Sequence, residues 1–246
     1  MPPTLDRARP RSSSETVRRV LAAAVFLPIF YYLVHDLGAI AFFGLAAIAG
    51  MLAAGEFYRL HLGQAPWPWW CWLGVGATGL LISSAQWPTL VTDRAVLLGT
   101  LAIALCMPLL SGKSLRDSLT DGMVLVMGVL YLGLTLSYLV LTRGLPDGAL
   151  LIFFVFLVTW AGDTGAYVAG KSMGRHALAP VISPKKTYEG LAGGLVLACL
   201  MAVVARAWFL PAFSLVDCLA LGMILTITGL IGDLAESAMK RSAGFK

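Results

Sequence analysis

The chain has 246 residues, of which 59% are hydrophobic and 13% charged, with a formal net charge of +5 and a mean hydropathy of +0.83. Soluble domains carry about 25% charged residues, so the composition excludes an ordinary soluble fold, a disordered chain and a disulfide scaffold. What remains is an all-α, polytopic bundle of membrane helices, each about 20 apolar residues long. The cysteines (Cys71, Cys106, Cys199, Cys218) sit in apolar stretches without a CxxC pair, which reads as packing rather than zinc or disulfide chemistry.

In chain order, residues 1–16 are rich in Pro, Arg and Ser, and 1–19 read as a disordered basic cytoplasmic tail. No small-residue cleavage pattern follows, so this is not a signal peptide. Eight apolar stretches come next, at about 20–34, 37–55, 67–85, 95–110, 122–141, 150–170, 191–210 and 215–231. Their runs are continuous rather than alternating, as helices in hydrocarbon require. Only His35-Asp36 joins the first two, which predicts a tight helical hairpin. Residues 20–149 form the first group of spans, and 150–246 the region expected to hold the chemistry.

With the N-terminus placed in the cytoplasm, the outer side holds only Arg94, Arg143 and Arg206, and every other Lys and Arg falls inside. This is the positive-inside bias of a cytoplasmic membrane protein. The basic residues are spread over several segments, so the positive charge is a topology signal and not a nucleic-acid footprint. Trp67, Trp69, Trp70 and Trp72 read as an interfacial aromatic belt. Glu56 and Arg59, three apart, read as an ion pair at a helix end. Lys113, Arg116, Asp117 and Asp121 read as a solvated connector.

Polar residues that hydropathy does not explain carry the functional signal in such a chain. Asp163 lies seven residues before Gly170, roughly 10 Å below the end of its span. A carboxylate at that depth costs about 2.5–3.5 kcal/mol on insertion scales. Trp160, Asp163, Thr164, Tyr167 and Lys171 share one helical face. Gly162, Ala166 and Ala169 line another, where a second helix can approach closely. Asp163 is either a structural group bonded to a neighbouring helix or a metal or proton site open to the cytoplasm.

The next loop contains Ser183-Pro184-Lys185-Lys186-Thr187-Tyr188-Glu189-Gly190. Ser183-Pro184 predicts an N-cap followed by a first-turn proline. That would put Lys185 and Lys186 at a helix N-terminus, where a bound phosphate offsets their unfavourable placement. A plain positive-inside loop is the alternative. After the last span, Asp233, Glu236, Ser237 and Lys240 follow i, i+3, i+4, i+7 spacing on one face, with Arg241 beside them. Glu236 and Lys240 suit an i,i+4 pair, which leaves Asp233 unexplained. Oxygen ligands from separate helices suit Mg²⁺, which one or two carboxylates and substrate phosphates commonly hold. Carboxylates for a cation and lysines for phosphate fit phosphoryl or nucleotidyl transfer to a lipid-borne phosphate.

Three runs, Asp163-Thr-Gly-Ala-Tyr167, Ser183 through Gly190, and Gly232-Asp233-Leu-Ala-Glu236-Ser237 through Lys240-Arg241, closely resemble the bacterial phosphatidate cytidylyltransferase (CDP-diacylglycerol synthase) family. The motifs stand in the family's order and spacing over residues 155–246, while the first 150 residues resemble it only as generic spans. The resemblance implies transfer of CMP from CTP to phosphatidic acid, with Mg²⁺ and a possible second cation, in the bacterial inner membrane. It implies catalytic roles for Asp163, Lys185, Lys186, Asp233 and Glu236, the three carboxylates being the metal ligands. It implies substrate contacts by Tyr167, Lys171, Ser183, Thr187, Glu189, Ser237, Lys240 and Arg241. The family signature continues into further carboxylates and a final span, so the resemblance implies a ninth helix beyond Lys246. The expected partners are CTP, phosphatidic acid and the bilayer, with homodimerisation left open and no nucleic acid. Competing readings are a transporter or flippase for an anion, a CTP-dependent lipid kinase, and a non-catalytic scaffold.

Overall fold

The computed structural model describes residues 25, 27–63 and 65–244; the tail expected over residues 1–19 lies outside them. Within them the chain is all-α apart from one small hairpin. Residues 27–35 are helical (α1). Then come α2 (Gly38–Leu62), α3 (Trp69–Gln86), α4 (Asp93–Leu110) and α5 (Leu115–Gly128). A π-helical segment, Val129–Leu134, continues directly into α6 (Thr135–Gly144). The last part comprises α7 (Gly148–Met173), β1 (Ala177–Ala179), β2 (Ser183–Thr187), α8 (Tyr188–Trp208) and α9 (Leu215–Ser242).

Six described helical stretches are long and apolar enough to cross a bilayer: α2, α4, the continuous Leu115–Gly144 unit, α7, α8 and α9. The other two expected stretches are α3, diluted by its Trp, Gly and Ser residues, and the first, of which only part is described. Many large apolar side chains point outward, among them Leu109 at 85% exposed and Val216 at 73%. In water such a surface would drive aggregation; against lipid it is the ordinary outer face of a multi-pass membrane protein.

Among the described residues four apolar clusters hold the bundle, and two of them frame the polar sites. One joins α2 to α5 around Tyr58, Trp70, Cys71, Met107 and Leu125. The Tyr58 hydroxyl donates to the Leu125 carbonyl at 3.2 Å, just before the π-helical segment. A side chain that enters the backbone ladder is a common cause of such local widening. The other centre joins α7, α8 and α9 around Phe154, Val158, Ala198, Ala202 and Cys218.

The most extensive helix contact is α7 against α8, and small residues make it possible. A Cβ on Gly165 would lie 2.5 Å from the Gly193 carbonyl oxygen, and one on Gly194 would lie 2.9 Å from that of Gly162. No side chain fits there, so the two backbones pack directly, as small-residue faces do in membranes. The face expected from Gly162, Ala166 and Ala169 is this one: Ala166 meets Gly194, and Ala169 meets Gly193.

Four local expectations are corrected. Ser183-Pro184 does not cap a helix: Ser183 to Thr187 form β2, antiparallel to β1 with Ala177 opposite Thr187 and Ala179 opposite Ser183. The helix begins one turn later, where the Thr187 hydroxyl accepts from Gly190 N at 3.1 Å. Asp121 is no solvated connector. It lies in α5, 5% exposed, between Lys113 at 2.6 Å and His61 at 3.2 Å. Glu56 and Arg59 do not pair, since the Arg59 guanidinium sits 5.2 Å over the Trp67 ring while Glu56 faces Lys240 across a cleft. Trp69 and Trp72 are exposed as a belt requires, but Trp70 is a core residue at 1%.

Candidate active site

Three elements bring the sequence-distant polar residues together. α7 carries Asp163 and Tyr167 on the face that leaves its glycine seam. α9 carries Asp233 nearly 30 Å along its axis from Leu215 (about 27 Å at 1.5 Å per residue). Between them the β1–β2 hairpin, inserted between α7 and α8, lowers Lys185 and Lys186 over the gap. The result is a cavity of about 310 Å³ lined by Asp163, Tyr167, Lys185, Lys186, Thr187 and Asp233, with Thr159, Thr226 and the small residues of α7, α8 and α9 as its walls.

Lys186 Nζ donates to Asp233 Oδ2 at 2.8 Å. Asp163 lies in the field of both Asp233 and the Lys186 ammonium. Two carboxylates therefore share one close cation, and the cavity has room for a second. This arrangement is the opposite of the Asp121 site, where one carboxylate has two partners. A strand presents successive side chains to opposite faces, so Lys186 reaches across to α9 while the neighbouring Lys185 remains more exposed at the cavity rim.

The hairpin is tied down by a contact that the sequence did not suggest. Glu189, in the first turn of α8, accepts from His176 Nδ1 at 2.6 Å and from the backbone N–H groups of Arg175 and His176 at 3.1 and 3.3 Å. Thr187 caps α8 and also lines the cavity. Glu189 and His176 thus fix the two ends of the lysine-bearing hairpin. The clue available from sequence was the pairing of an isolated histidine with an acid at the end of one loop.

The remaining expected residues lie outside this cavity. Lys171 is exposed, its ammonium 5.6 Å from the Tyr167 ring. Ser183 opens β2 and does not line the cavity. Glu236 is turned away: it pairs with Lys240 and, with it, lines a separate cleft against α2 and the π-helical segment. Ser237 and Arg241 line neither space.

Among the described residues no group of three or more metal-ligating side chains converges, so the expected set of Asp163, Asp233 and Glu236 is not assembled. The two carboxylates that do share the cavity still match the chemistry of Mg²⁺. They are hard oxygen donors from facing helices, and substrate phosphates supply the rest of such a shell.

Comparison with known proteins settles the family. A profile of the cytidylyltransferase family matches residues 17–246. The phosphatidate cytidylyltransferase of Staphylococcus haemolyticus is 31% identical over 246 residues, covering 94% of this chain and 86% of that protein. That of Staphylococcus aureus is 32% identical over 241 residues, with the same coverage. The chain belongs to the cytidylyltransferase family. It is accordingly a nucleotidyltransferase built on membrane helices. The match to the enzyme of Staphylococcus saprophyticus is 41% identical, over 131 residues that span 53% of this chain and half of that relative's length. The cavity brings cationic side chains, carboxylates and apolar walls together in one space.

Proposed function

We propose that the cavity around Asp163, Lys186 and Asp233 is the centre at which CMP passes from CTP to phosphatidate, giving CDP-diacylglycerol and pyrophosphate. The observation that carries this reading is the Lys186–Asp233 pair in one cavity with Asp163, which gathers residues 163 to 233 into one charged site in an otherwise apolar bundle.

In the reaction a phosphate oxygen of phosphatidate forms a bond to the α-phosphorus of CTP. The bond from that phosphorus to the oxygen bridging the α and β positions breaks, and its electron pair leaves with pyrophosphate. The nucleophile is already an anion, so no side chain needs to act as nucleophile and no covalent enzyme intermediate arises. Lys186 exchanges its Asp233 contact for phosphate oxygens as CTP arrives, and Lys185 supports it from the rim. Both ammoniums offset the charge that builds on the leaving group. Asp163 and Asp233 would hold Mg²⁺, which when bound supplies further charge neutralisation at the phosphates. Tyr167 and Thr187 orient the bound phosphates, and the Glu189–His176 contact holds the hairpin in place.

Phosphatidate reaches the cavity sideways, with its acyl chains in the bilayer. The distribution of basic residues supports a cytoplasmic membrane location with the N-terminus and this cavity on the cytoplasmic side. The polar groups gather at one end of the helices instead of at mid-membrane, which favours transfer chemistry over transport.

The test is a mixed-micelle assay with CTP labelled in the cytidine and phosphatidate as acceptor. Label entering lipid with stoichiometric pyrophosphate release is the expected result. A phosphorylated lipid with CDP release identifies a lipid kinase instead and overturns the reading.

A further inference from the structure

A second cleft, of about 270 Å³, lies on the neighbouring side of α9. Its polar residues are Glu56 from α2, Tyr131 from the π-helical segment, and Glu236 and Lys240 from α9, with Phe57 and Leu132 among its apolar walls. Nothing in the transfer reaction described above uses these groups. Glu236 lies one turn along α9 from Asp233, about 4.5 Å further along the axis, so the same helix borders both spaces. Tyr131 lines this cleft and lies in the electrostatic field of both Glu236 and Asp233. It also stands in a π-helical segment, a distortion often found at functional positions.

The two spaces differ in charge: the first sets two lysines against two carboxylates, the second one lysine against two. The first offers lysines and suits a polyanion. In the second, Lys240 is bonded to Glu236 and also lies in the field of the Glu56 carboxylate, so two carboxylates share one ammonium among aromatic and aliphatic walls. A phosphate would be repelled there. A neutral group rich in hydroxyl and amino donors, with a flat face for the aromatic side chains, would be held. Phosphatidate is anionic at one end and aliphatic at the other, so it does not match the pair. A nucleoside triphosphate does: it joins a polyanion to a sugar with free hydroxyls and to a base with an exocyclic amine.

We propose that this cleft is the nucleoside subsite of the same centre, with Glu56 and Glu236 accepting from ribose hydroxyls and the cytosine amine, and Tyr131 packing against the nucleoside. The proposal rests on the cavity around Lys186 being the phosphate site, and the test separates the two.

Equilibrium binding of labelled CTP to the full chain in lipid–detergent micelles is measured, with inorganic tripolyphosphate as competitor. Glu56→Gln and, separately, Tyr131→Leu are expected to weaken CTP binding roughly tenfold each, the size of a lost hydrogen bond to a charged group or a lost aromatic contact. Tripolyphosphate affinity should stay at the wild-type value in both, which also shows that the variants are folded. Unchanged CTP affinity in both variants overturns the nucleoside subsite, as does a parallel loss of CTP and tripolyphosphate affinity. A change confined to the KM for phosphatidate overturns it as well. Failure of tripolyphosphate to compete with CTP on the unaltered chain, or Lys186→Met leaving its affinity unchanged, overturns the underlying phosphate site instead.

Discussion

The two halves of the molecule treat a carboxylate at the membrane boundary in opposite ways. In the N-terminal half Asp121 is buried, and two partners, Lys113 and His61, close on it beneath the aromatic cluster of Tyr58 and Trp70. In the C-terminal half Asp163 and Asp233 border an open cavity and share a single close ammonium, that of Lys186. A buried carboxylate with its partners in place serves the fold, because removing a partner leaves charge in a low-dielectric surround. Carboxylates with fewer partners than they can use, facing a space that substrate can enter, keep capacity for a ligand. Partner number and access, more than the presence of charge, distinguish the two roles.

The sharpest way to break this comparison is at Asp233. Asp233→Asn is expected to lower CMP transfer by about 10²- to 10³-fold, the range for loss of one organised electrostatic group, with expression and helicity unchanged. Near-wild-type turnover in the micelle assay would make Asp233 a second Asp121. Next comes Lys186→Met, expected to cost on the order of 10²-fold in kcat/KM for CTP and to leave Asp233 without its close cation. If the loss vanished at saturating CTP, Lys186 would serve ground-state binding alone.

Asp121→Ala should act on stability instead. It removes a buried pair that helps join α2 to the start of α5, at a cost of about 1–3 kcal/mol once the partial exposure of Lys113 and His61 is discounted. A lower unfolding temperature in detergent, with normal turnover per folded molecule, is the expected pattern; lost turnover in a fully folded sample would contradict it. The smallest effect is expected at Glu189→Gln, which weakens the tie between His176 and the hairpin. KM for CTP should rise by several-fold, on the order of the loss of one exposed charged contact, with His176→Ala giving a similar change and the double variant adding little. Additive effects of the two substitutions would argue that Glu189 touches substrate directly.

The grouping of Asp163, the lysine pair and Asp233 was legible in sequence because each breaks a hydropathy pattern that otherwise runs unbroken, and a membrane helix tolerates such a break only for a reason. Their common level followed from helix rise and from the distribution of basic residues. The conformation around Ser183-Pro184 was not legible. A Ser-Pro pair is equally at home at a helix N-terminus and in a short strand, and the pairing with Ala177 to Ala179 decided between them. Asp121 was misplaced for a related reason. A mixed-charge run looks solvated until α2 supplies His61 from 60 residues away. Glu236 shares a helical face with Asp233 in projection, yet one turn carries it past the end of the first cavity into the second.

The sequence by itself determined the helical membrane class, the family and the residues with chemistry to offer, because hydropathy and motif spacing are properties of the chain taken a few turns at a time. Only the tertiary structure decided which of those residues meet. The glycine seam between α7 and α8 sets how near the helices lie, the hairpin sets how far Lys186 reaches, and the rotation of α9 sends Asp233 and Glu236 to different spaces. These are long-range packing outcomes, in which a separation of a few ångströms between helices determines whether two charges form one site or two.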